Sequence, residues 1–411
     1  MKPSLSLTLA AGLFLVLPAN LSAESRTWTS SDGRALEGEI LSLEGDQITL
    51  KTERGNFEIP LSRLSEADQT FAKEWKEKKM AATPGDEPEK GGGGNKELGD
   101  FENLVLGEWP TSVSADFEVD AIQIVKEDKD TNEYIYRSPH FEFHSPLRLS
   151  ATVVREFARI FEATFEFTKA MPIGLAPEPW GDGYYLTKLY ADKATYYADG
   201  GIEGSGGMFS YSWRGREILK SVIKVPLTNL GVEYTGTRFI VDHKKRSDTL
   251  IHEIAHQMTG RWLPLLPTWF TEGLSETVST QRYDGGRFTL TSMDRSIRED
   301  VTKRTGNDRE FSMLNLERLM TISGQEWAAD LTRPGGSSTN YPSANVLFYY
   351  FLRLDGDGKG TNLVNYMKAI AEGMKEEEAR QEILMAGRSY AELQEDVESK
   401  WRTEGLRLTF Q

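Results

Sequence analysis

The sequence predicts an α+β protein in two domains, and three observations carry that prediction. Short alternating runs broken by Asp-Gly and Gly-Asp turns fill residues 24–79 and read as a small all-β, antiparallel barrel. Residues 80–100 collapse to Lys, Glu, Pro and Gly, with four glycines at 91–94, the composition of a flexible linker. From 101 to 411 strand-like alternation gives way to helical periodicity, with a His-Glu-x-x-His helix at the change-over.

In the first domain, strands are expected at 26–29, 35–41, 47–51 and 57–61, followed by a short helix through Trp75. In the second, 134–136 and 140–144 alternate as strands. His140 and His144 share a strand face, but they flank Phe141 and Phe143 far from the motif and read as structural. Ser150 is a cap for a helix to Lys169 whose buried stripe runs Val153, Val154, Phe157, Ile160, Phe161, Thr164 and Phe165. Further strands are expected at 184–190, 208–213, 218–227 and 238–241, and a short helix at 192–197. Gly204, Gly206 and Gly207 are followed by no Lys-Ser/Thr pair, which excludes a phosphate loop. His243 is expected to face water. Asp355 and Asp357 begin like a calcium loop, but the twelfth position is Tyr366 and not Glu, so the segment reads as a turn. Three amphipathic helices between 361 and 403 are expected to close the chain.

Acidic residues outnumber basic ones 63 to 48, a net charge of −15 that argues against a nucleic-acid backbone as partner. With no cysteine, the chain has no disulfide, thiolate ligand, cysteine nucleophile or lipid-bearing cysteine. Residues 1–23 read as a secretory signal peptide. Lys2 precedes an apolar run at 5–17 that is too short to span a bilayer, and small residues lead up to an expected cut after Ala23. No other segment is apolar enough to cross a membrane, so a secreted or periplasmic bacterial protein without a transmembrane anchor is expected once the signal is removed.

The chemistry is carried by His252-Glu253-Ile254-Ala255-His256. Residues four apart are neighbours on one helix face, so His252 and His256 can offer both imidazoles to one metal ion. Glu253 sits about 100° round the helix, within reach of a metal-bound water without being a ligand. Leu250, Ile251, Ile254 and Met258 form an apolar back, and the polar front suits a helix lining a cleft. A catalytic zinc takes three protein ligands and keeps one open position. A metzincin-type third histidine is excluded, since Thr259 and Trp262 stand where its glycine and histidine belong. Pro264 and Pro267 break the first helix and start a second, on which Glu272 and Glu276 are again four apart on one face.

The His-Glu-x-x-His helix followed by Trp269-Phe270-Thr271-Glu272-Gly273-Leu274-Ser275-Glu276 resembles the gluzincins. It is especially similar to bacterial peptidase-MA-like proteins, whose second helix reads Trp-x-x-Glu-Gly-x-x-Glu. The resemblance implies a zinc metallopeptidase acting on a peptide or protein, with Zn2+ held by His252, His256 and Glu272. It further implies Glu253 as general base and Glu276 as the acid that steadies a ligating histidine. The run from Tyr341 to Leu347 resembles the Tyr-x-x-Ala-x-x-Leu helix of the same family, which implies Tyr341 as an oxyanion donor. Residues 208–213 correspond to the edge strand that lines the family's cleft.

Residues 24–79 resemble the small Src-homology-3-like module first described in a yeast endocytic adaptor, through Arg26-Thr27-Trp28-Thr29, Asp32-Gly33-Arg34, Pro60-Leu61 and Leu64-Ser65-x-x-Asp68. That implies a short peptide or cell-surface ligand for the module. The alternative function is a secreted peptide- or surface-binding protein whose metallopeptidase-like domain is not catalytic.

Overall fold

The computed structural model describes residues 26–30, 35–44, 47–52, 55–65, 67–72, 98–179, 183–202, 205–214, 217–242, 248–307 and 310–411. The expected signal peptide, most of the expected linker and His243 lie outside these residues. The chain combines helices and strands, an α+β composition, and divides into two compact units, one within 26–72 and one carrying nearly all of 98–411. Among the described residues no helix is long and apolar enough to cross a membrane.

The first unit is a four-stranded antiparallel meander of β1 (Arg26–Thr29), β2 (Ala35–Glu44), β3 (Gln47–Thr52) and β4 (Gly55–Pro60). Trp28, Ile48, Leu50, Leu61, Leu64 and Ala72 form its core, and the Trp28 indole N–H donates to the Gly38 carbonyl (2.9 Å). Asp68 ties the ends together, accepting from the Thr29 backbone N–H (2.7 Å) and from the Arg26 guanidinium (2.7 Å).

The second unit contains the short strand β5 (Ser112–Ser114), in a small three-stranded sheet, and a six-stranded mixed sheet in the order β10-β11-β9-β8-β7-β6. These strands are β6 (Gln123–Asp128), β7 (Glu133–Arg137), β8 (Phe141–Ser145), β9 (Tyr185–Tyr190), β10 (Met208–Arg214) and β11 (Glu217–Pro226). β6, β7 and β8 pair antiparallel, whereas β8, β9 and β11 run parallel. The helix α1 (Ala151–Ala170) begins where the Ser150 side chain accepts from the Val153 N–H, closing one of the first turn's open donors. One side of α1 covers the sheet, with the rings of Phe157 and Phe161 against Phe143 at 5.2 and 5.1 Å. Its other side sends Ala163 and Phe167 into the main helical core beside Ile251 and Ala255.

Two departures from the sequence reading have physical causes. Residues 98–100, assigned to the linker, belong to the second unit. Asp100 N–H donates to Gly174 O (3.1 Å), and Gly99 takes φ +99, where an added Cβ would stand 2.6 Å from that same carbonyl. Here glycine serves a tight approach and not flexibility. The three expected closing helices form, at 361–371, 376–384 and 390–403, but they do not end the fold. A final strand, Arg407–Phe410, pairs parallel with Glu310–Met313. Four alternating residues are too short a signal to reveal a partner so distant in sequence.

Candidate metal centre

The helix α3 (Asp248–Met258) carries His252, Glu253 and His256, and α4 (Thr268–Ser279) carries Glu272 and Glu276. Between them the chain turns through a 3-10 segment, and Pro267, at φ −70 and ψ 159, is the extended residue from which α4 starts. α8 (Gly336–Tyr349) lies against α4 at Gly273, where an added Cβ would be 2.4 Å from the Ala344 carbonyl oxygen and 2.6 Å from the Phe348 Cβ. That near-contact of backbones brings Tyr341 to the site. Its ring meets the His252 imidazole edge-on, with centroids 5.7 Å apart.

The apolar back of α3 is buried as its periodicity requires, but so is the front. His252, Glu253, His256, Glu272 and Glu276 are all 7% exposed or less. β10, at the edge of the sheet, lies over that front, and the Phe209 backbone N–H donates to Glu253 Oε2 (2.7 Å). The Phe209 ring runs parallel to His256 at 6.4 Å and stacks on Tyr211 at 5.4 Å.

His252 Nε2 and His256 Nε2 lie 2.9 Å apart, and Glu272 Oε2 lies 3.2 Å from the first and 3.4 Å from the second. Three potential ligand atoms thus converge, and they make up a buried group able to hold a metal ion. The donor set itself tests the fit. Among the described residues no hydrogen bond reaches either oxygen of the buried Glu272 carboxylate. Of these residues, its only charged neighbours in range are the two histidines, and a cation at the point of convergence would meet the buried negative charge in full. On the far side of the ring, His252 Nδ1 is 3.2 Å from Glu276 Oε1, so its proton belongs there and Nε2 can present a lone pair to the centre.

Electrostatics follow from burial and from these pairs. Burial favours a neutral His252, but the carboxylates of Glu272 and Glu276 outweigh it and lift its pKa to about 10. Burial holds His256 below the ordinary histidine value despite Glu272. Glu272 is raised by burial but lowered more by His256 and His252, and stays ionised. Burial lifts Glu253 to about 7, against the pull of His252 and the Phe209 N–H. Tyr341 is pushed well above its usual value by burial, with Glu272, Glu276 and Glu253 adding to the effect, so its hydroxyl keeps its proton.

The other histidines are held elsewhere. His140 Nδ1 is 2.6 Å from Glu162 and its ring stacks on Phe165 at 3.9 Å, while His144 Nε2 is 2.6 Å from Glu142. Three participants were not visible as such in the sequence: the Phe209 amide, and Arg304 with Asp300 on α5 (Met293–Thr305). Arg304 Nη2 is 2.5 Å from Glu276 Oε2 and its Nε 2.8 Å from Asp300 Oδ2. Charges on an amphipathic helix look like a solvated face unless the contact across the fold is known.

Comparison with models of known protein families, with curated proteins and with solved structures finds no match for the chain.

Proposed function

We propose that the second unit is a zinc-dependent peptidase of gluzincin type, secreted or periplasmic, with the first unit a Src-homology-3-like accessory that takes a peptide or a cell-surface group. The single observation that carries this reading is the convergence of His252 Nε2, His256 Nε2 and the buried Glu272 carboxylate, with Glu253 beside them. A structural metal has no use for a general base, the role open to Glu253, whose carboxylate is held by the Phe209 N–H and not by a ligating histidine.

His252, His256 and Glu272 would hold Zn2+, and two nitrogens with one oxygen suit that ion. When bound, zinc supplies Lewis acidity toward a carbonyl and lowers the pKa of water. Glu253, near neutrality in its pKa, accepts a proton from the attacking water and returns it to the leaving amine. The Phe209 N–H fixes the carboxylate that does so. Tyr341, protonated and packed edge-on to His252, is the candidate hydroxyl donor to the oxyanion. β10, as an edge strand, offers backbone groups to an extended peptide.

The test is digestion of a mixed peptide library by the protein alongside Glu253→Gln. Cuts by the unaltered chain that fall ~10²–10⁴-fold in the variant, with zinc retained, are the expected result. Equal cutting by both sinks the mechanism. Zinc bound without any cutting favours the non-catalytic binding protein.

A further inference from the structure

We propose that Arg304 is a positioning residue for the metal centre: by pinning the Glu276 carboxylate it sets how His252 presents Nε2 to the ion. The inference rests on the metal-site reading above and extends it to an element outside the two ligand helices.

Each oxygen of Glu276 has a different partner. Oε1 is 3.2 Å from His252 Nδ1, and Oε2 is 2.5 Å from Arg304 Nη2. Arg304 is also in ion-pair contact one helical turn back, its Nε 2.8 Å from Asp300 Oδ2 without hydrogen-bond geometry. The three side chains are only 5%, 13% and 15% exposed, so the chain of ion pairs is shielded from water. A carboxylate turns freely about its last torsion, and one contact alone would leave Glu276 able to swing away from the imidazole. Two partners at opposite oxygens fix its plane. The guanidinium also supplies the positive charge that a buried carboxylate requires, independently of any ion at the metal centre. Partners behind a ligating histidine orient its ring, and their loss weakens metal binding ~10–100-fold.

The experiment measures zinc affinity of the full chain by competition with a chromophoric chelator, for the unaltered protein, Arg304→Met and Arg304→Lys. The thermal midpoint of each metal-free protein is recorded alongside. Arg304→Met is expected to bind zinc ~10–100-fold more weakly, and Arg304→Lys, which keeps the charge but loses the two-ended fork, several-fold more weakly. A folded Arg304→Met with unchanged zinc affinity and a lowered midpoint overturns the proposal, because that is the signature of a purely structural ion pair. If Arg304→Met does not fold, Arg304→Lys is read by the same rule. Failure of the unaltered chain to bind zinc overturns the metal-site reading itself, and is thereby distinct from failure of the role given to Arg304.

Discussion

His140, just before β8, and His144, near its end, have the same sequence separation as His252 and His256 on α3. On an extended strand that separation spans ~13 Å, and each ring settles on its own acid, His140 on Glu162 and His144 on Glu142. On the helix it brings the two Nε2 atoms to 2.9 Å, and one acid, Glu272, faces both. Both pairs lie among carboxylates, so acidic surroundings do not tell them apart. What differs is whether the acid closes a separate pair, leaving nothing to bind, or joins a shared point with lone pairs to spare.

The sharpest way to break this contrast is to remove one ring from each pair and measure bound metal by mass spectrometry. His256→Ala is expected to lose zinc and all turnover, since two remaining ligands do not make a catalytic site. His144→Ala should keep full zinc content. Metal retained by the first variant or lost by the second would erase the distinction.

pH sharpens it further. In the metal-free protein His252 keeps its proton up to about 10, so below that pH an incoming ion must displace it. Zinc affinity should therefore climb with pH, ~tenfold per unit, and level off above about 10. The sign for stability is opposite. A histidine whose folded pKa is raised stabilises the metal-free fold fully below its unfolded value of about 6.5, and that contribution is lost as pH rises through 10. The thermal midpoints of the zinc-loaded and metal-free proteins should thus diverge as pH rises. Midpoints that stay parallel between pH 6 and 9 contradict this.

Next in size is Gly273→Ala. Alanine in place of a helical glycine ordinarily stabilises by ~0.4–1 kcal/mol. Here the new Cβ meets the Ala344 carbonyl oxygen at 2.4 Å, so a loss of ~1–3 kcal/mol is expected, visible in a denaturant titration. The smallest effect belongs to the strand pair. His140 is one-third exposed, so in His140→Ala water can take its place beside Glu162, and the change should cost ~0.5–1.5 kcal/mol with zinc content and turnover unchanged.

The same contrast explains what could be read from the sequence. His252, Glu253 and His256, and then Glu272 and Glu276, are visible because helical periodicity is local and turns spacing directly into a face. Likewise, the Ser150 cap and the stripe on α1 needed no knowledge of distant chain, and the structure contains the cap and buries the whole stripe except Ile160, which is half-buried. The burial of the polar front of α3 was hidden, because it depends on β10 crossing from 44 residues earlier to meet Glu253. Arg304 was hidden for the same reason, reaching Glu276 from 28 residues beyond it. The role of Gly99 is not legible in the sequence, because glycine serves both loose and very tight backbone and composition does not separate the two.

The bond from the Phe209 amide to Glu253 also acts as a gauge of assembly. Side chains alternate along a strand, so a slip of β10 by one residue would carry the rings of Phe209 and Tyr211 to the opposite face. It would also bring a different amide to the carboxylate or leave it unheld. The atom given the proton-transfer role is thus the one that senses whether the sheet has closed in step. The register of an edge strand is written into the hydrogen bonding of one buried carboxylate.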